Sequence, residues 1–61
     1  MKDKTKVIRL AEELAGGDLV KALDWYYDTK IPSFDYLTAN QLVENGYADA
    51  LIEYLKAGGY E

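Results

Sequence analysis

The chain contains no cysteine and no histidine. Those two absences exclude more function classes than any residue present suggests. Without cysteine there is no disulfide, and without either residue a structural zinc site lacks its usual ligands. The common nucleophile–base pairs cannot be assembled either, since they draw on the same two residue types. Ser33 is the only serine, and no imidazole exists to activate it. A chain free of cysteine fits a reducing compartment, so a cytoplasmic location is expected. Long apolar runs are missing as well. None approaches the roughly 20 residues that span a bilayer, and no signal-peptide core is visible, so no membrane partner is expected. Gly16-Gly17 lacks the spacing of a phosphate loop. The stretch from Asp35 to Gly46 fails the calcium-loop pattern, because Leu37 stands where an oxygen ligand is required. No catalytic residue, cofactor or metal is expected.

What remains is the composition of a small globule. Of the 61 residues, 49% are hydrophobic and 30% charged, which is not a disordered profile. A chain this short buries only about 60% of its extended-chain surface, so its core is thin. Chains of this size often lean on a partner subunit, and a homo-oligomer such as a homodimer is expected. The formal net charge of −4 is unevenly spread. Residues 1–9 carry a net +3 and residues 10–61 a net −7. An acidic body repels phosphates, which argues against nucleic acid as the main partner. The basic residues 1–4 read as a frayed, solvated arm.

The periodicity is helical nearly throughout, with no repeat. The spacing predicts an all-α, four-helix orthogonal bundle in one domain, with helices near 5–15, 19–29, 39–45 and 47–57. In the first, Val7, Leu10, Ala11 and Leu14 share one face, with Asp3 or Thr5 as the cap. "GGD" at 16–18 stops it, and Asp18 can cap the second helix. There Leu19, Ala22, Leu23 and Tyr26 form a stripe, widened by Val20, Trp25 and Tyr27. Pro32 biases Ile31 away from the helical region and ends that helix near Lys30. "LTANQL" at 37–42 carries a complete start signal. Thr38 and Gln41 have capping-box spacing, and Leu37 and Leu42 flank the cap as a hydrophobic staple. Asn45-Gly46 closes this short helix, which would set the angle between its longer neighbours. Ala48, Leu51, Ile52 and Leu55 face the core from the last helix, which Gly58 and Gly59 end. No segment alternates, so no sheet is expected.

Three features point outward. Eight aromatic residues exceed what so thin a core can hold, and tyrosine and tryptophan are enriched at interfaces. Either Trp25, Tyr26 and Phe34 fill the core while the other tyrosines lie half-exposed on its rim, or the surplus rings, Tyr27 and Tyr54 among them, meet a partner. Asp24 and Asp28 lie four residues apart on the second helix, where like charges repel. They form either a solvated face or an acidic lip for a basic partner. The tail "KAGGYE" is either a loose end or a short probe that orders in a partner's cleft.

Read together, "AL-WYY----IPSF--LTANQLVENGYADALIEYL" resembles the toxin-binding domain of the Xre/MbcA/ParS-type antitoxins. Trp25, Pro32, Phe34, Thr38, Leu42, Gly46, Leu51, Leu55 and Gly58 stand at places corresponding to that family's pattern, and "AGGD" at 15–18 looks like its small-Gly-Asp turn. Ala39 stands where the family usually has proline, and its upstream helical DNA-binding region has no counterpart here. The resemblance implies a protein that silences a toxin enzyme, typically one that degrades NAD. It also implies that the last helix and C-terminal end approach the toxin's cleft. Tyr54, Lys56, Gly58, Gly59, Tyr60 and Glu61 are then the candidate blocking residues; Tyr27, from the aromatic surplus, and Asp28, from the acidic pair, are further candidate contacts on the residues alone.

Overall fold

A computed structural model of the chain describes residues 2–60. Helix α1 spans Lys2–Leu14, α2 Leu19–Asp28, α3 Ala39–Glu44 and α4 Ala48–Tyr54. The all-α class follows the periodicity of the sequence, and the stop after α1 and both ends of α3 lie where the punctuation residues put them, whereas the last helix, expected over 47–57, is α-helical only over Ala48–Tyr54. Gly16 and Gly17 donate back to Glu13 and Glu12 at 3.1 and 2.8 Å, the paired bonds of a Schellman stop after α1. Asp18 then accepts from the Lys21 N–H at 3.1 Å and starts α2.

The start of α3 has both halves of the capping box. The Gln41 N–H donates to Thr38 Oγ1 at 3.2 Å, and the Thr38 N–H donates to Gln41 Oε1 at 2.9 Å. Leu42 is buried in the core and Leu37 packs against it, on the two sides of the cap that a staple requires. The other end is closed by Gly46, whose N–H donates to Val43 while Tyr47 donates to Leu42. Gly46 sits at φ +85, where a side chain is strained. A six-residue helix is unstable alone. These bonds and the burial of Ala39 and Leu42 hold it.

Two expectations are corrected. Helix α1 begins at Lys2, so the segment expected to fray is helical from there on, and Asp3 and Thr5 lie inside the helix rather than capping it. Asp3 in the first turn suits the positive end of the helix dipole. Lys4 lies over the Tyr27 ring, with Nζ 5.3 Å from the centroid. Met1 lies outside the described residues.

The second correction is a ladder where no sheet was expected. Strand β1 (Lys30–Ile31) pairs antiparallel with β2 (Leu37–Thr38), Lys30 opposite Thr38 and Ile31 opposite Leu37. Each strand is extended for its own reason. Pro32 holds Ile31 out of the helical region, and Thr38 must be extended to cap α3. One 3-10 turn, Pro32–Phe34, and left-handed Asp35 and Tyr36 bring the two together. The Tyr36 N–H donates to the Ile31 carbonyl at 2.9 Å across the loop.

The core draws on all four helices, β1 and the C-terminal turn. Val7 and Ala11 come from α1, Ala22, Trp25 and Tyr26 from α2, and Ile31 from β1. Ala39, Leu42, Leu51 and Leu55 complete it, with Phe34 packed at its edge rather than inside. Leu14 and Leu19, assigned to core stripes by spacing, are 43% and 47% exposed. Both flank the Ala15–Asp18 turn at the end of the α1–α2 pair. Past Tyr54 the helix widens into a π-helical turn over Leu55–Gly59, broken at Gly58. No described helix is long and apolar enough to cross a membrane.

Candidate functional site

Trp25 is the centre of the aromatic surface. It sits in the last turns of α2, on the side that faces the core, and is only 6% exposed. The Thr29 N–H donates to its carbonyl at 3.1 Å and ends the helix there, so the backbone around the indole is fixed. Tyr60 comes back from the C-terminus and lays its ring against Trp25, with centroids 5.4 Å apart and planes tilted by 52°. Beside them the Tyr54 ring meets Phe34 edge-on at 5.5 Å. The two ring pairs tie α2 and the 30–38 loop to the C-terminal segment.

Two open grooves flank Trp25. One, of about 310 Å³, runs between Lys21, Asp24, Asp28, Thr29 and Tyr60. The other, of about 290 Å³, runs between the Thr29–Pro32 segment, Tyr54 and Gly59. Both lie at the bottom of the roughly 300–1,000 Å³ range of small-molecule sites, and neither is enclosed. Shallow aromatic grooves of this size suit single side chains of a protein partner. The rim of the first carries two carboxylates, Asp24 and Asp28, against one ammonium, Lys21. Asp28 ends α2, where the dipole disfavours an acid, and it repels Asp24 one turn away.

The residues expected to meet a partner do not gather in one place. Asp28, Tyr54, Gly59 and Tyr60 gather around Trp25. Lys56 does not join them; it lines a separate hollow with Lys6, Leu10, Asp49, Ile52 and Glu53. Tyr27 is 44% exposed and lies under Lys4, next to the edge of the Tyr26 ring. Gly58 is exposed and marks the break in the C-terminal turn. Glu61 lies outside the described residues. The tail up to Tyr60 folds back onto the body through the Tyr60–Trp25 contact. Trp25 was expected only as core filler, and its position between two grooves is a tertiary property.

Tyr26 is the one buried polar side chain without a partner among the described residues: its hydroxyl meets no donor or acceptor. Burial, with smaller contributions from Tyr27 and Glu44, pushes its pKa up to about 12. It therefore stays neutral near pH 7. Among the described residues no three acidic side chains stand close enough to hold a metal ion.

No family model matches the chain, and no curated protein or solved structure matches it.

Proposed function

We propose that this chain is a non-enzymatic protein-binding module whose docking face is the ring cluster around Trp25. The observation that carries the reading is the convergence of Trp25, Tyr54 and Tyr60 from distant parts of the sequence onto one face with shallow grooves. Aromatic side chains at the centre of an interface commonly carry much of its binding energy. The specific form we propose follows the resemblance to antitoxin toxin-binding domains. In that form the module occludes the cleft of a partner enzyme, one that degrades NAD, and no chemistry of its own is required.

The test is co-expression with an NAD-degrading toxin enzyme, sought first in the neighbouring reading frames, followed by co-elution of the two purified chains. Asp28→Lys is the informative variant. It lies on the groove rim, is exposed, and relieves a repulsion, so it is expected to gain a few tenths of a kcal/mol in stability. Neutralisation is expected to weaken about tenfold, in keeping with loss of roughly one interfacial charge contact. Full neutralisation by the variant would remove the Trp25 face from the mechanism. No co-elution of the unaltered chain at micromolar concentration would remove the partner.

A second reading is self-association through α2. Leu19, Val20 and Tyr27 are 47%, 68% and 44% exposed on the outer side of that helix. Large apolar side chains left exposed along one helix are the surface such an association would cover. Sedimentation at several concentrations separates the readings, because a dimer through α2 leaves the Tyr54 groove free.

A further inference from the structure

The last described residues do more than end a helix. Gly58 takes φ +91, a conformation that only glycine adopts freely, and turns the chain back on itself. Gly59 then passes beneath the Tyr54 ring. A Cβ at this position would stand 2.5 Å from Tyr54 Cζ and 2.6 Å from Cδ2, so no other residue fits unless the ring moves. Tyr60 follows at once and covers Trp25. Tyr60 remains partly exposed, and Gly58 on the other side of the contact is fully outside. A ring held at the margin by one aromatic contact, next to a glycine hinge, belongs to the low-stability end of a fold.

We propose that Gly58–Tyr60 is a strap that fills the partner's groove from within the chain, and that a partner binds by exchanging its own aromatic side chain for Tyr60 on Trp25. The idea rests on the protein-binding reading above and deepens it by naming the occupant. That occupant is an extended segment with an aromatic side chain beside a small residue, the pattern Gly59-Tyr60 itself presents. The groove has two carboxylates on its rim and one ammonium, so a basic residue near the ring is favoured. The strap keeps Trp25 from water while no partner is present. It also lowers the partner's apparent affinity by the fraction of molecules that are closed.

Trp25 is the sole tryptophan, so acrylamide quenching of its emission reads the strap directly, with no partner needed. Tyr60→Ala removes the covering ring. Gly59→Ala keeps the Tyr60 ring but forces Tyr54 and the chain beneath it apart. Each is expected to raise the quenching constant roughly twofold or more, the low end of the change that loss of one aromatic pair brings. Far-UV circular dichroism should stay unchanged, and having two variants preserves a readout if one fails to fold. Tethering supplies an effective concentration in the millimolar range, so the matching peptide acetyl-KAGGY-amide is added to Tyr60→Ala at about 10 mM. It should restore shielding, while acetyl-KAGGA-amide should not. Unchanged quenching in the folded variants overturns the strap. Exposure that neither peptide reverses overturns the groove as a receptor for an aromatic segment. Either result leaves the Asp28→Lys neutralisation assay standing, and failure of that assay leaves the strap standing.

Discussion

Replacing Tyr26 with phenylalanine is expected to stabilise this protein, the reverse of the usual effect of deleting a tyrosine hydroxyl. The ring is fully buried in α2 and meets Tyr27 edge-on at 4.9 Å, and phenylalanine keeps that packing. What it removes is a hydroxyl with no hydrogen-bond partner. An orphaned buried polar group costs about 1–3 kcal/mol. A chain of this length has a total stability of roughly 3–9 kcal/mol, so even the lower figure is a large share. In a domain this small each kcal/mol moves Tm by about 4–8 °C. Urea denaturation followed by circular dichroism is the assay, and the midpoint should rise at constant slope.

The same hydroxyl sets a pH dependence. In the folded chain it titrates near 12, and in the unfolded chain near its usual value of about 10. Below the unfolded value both states hold the proton, and the group contributes no slope. Between about pH 10 and 12 unfolding releases the proton, so stability falls as pH rises, by at most about 1.4 kcal/mol per unit from this group. Tyr26→Phe lacks that loss, so its advantage should widen above pH 10. A variant less stable than the parent at pH 7, or one with the same alkaline slope, refutes the reasoning. Either would mean that the hydroxyl is satisfied in solution.

Thr38→Ala removes one acceptor of the capping box and is expected to cost about 1 kcal/mol. The same urea assay checks it, and a midpoint unchanged from the parent would show that the cap does not hold α3. Leu51→Ala empties a fully buried position in α4 at a cost of about 2–5 kcal/mol, comparable with the whole stability of the chain. A broad, non-cooperative thermal transition is expected, and a sharp one near the parent Tm would place Leu51 outside the structural centre.

The parts of the fold that could be read from the chain are those encoded within a few residues. Asp18 reaches Lys21, Thr38 and Gln41 bond each other, and Gly46 follows the helix it closes. Each depends on backbone geometry at close range, so composition and spacing identify it. The apolar stripe of α4 was legible for the same reason. Leu14 and Leu19 were not, because a stripe shows which face is apolar without saying how far along the helix the neighbours reach. The β1–β2 ladder was also missed. Two residues show no alternation, and the pairing depends on the turn that brings Ile31 and Leu37 together.

The candidate site divides along the same line. Residue types alone marked the surplus of rings, the acidic pair on α2 and the glycines of the tail. They did not reveal that Tyr60 rests on Trp25, that Tyr54 covers Gly59, or that Lys56 faces another side of the molecule. Local chemistry is written into neighbouring residues, because their spacing along the backbone is set by covalent geometry. Contacts between distant residues exist only once packing has chosen which surfaces meet.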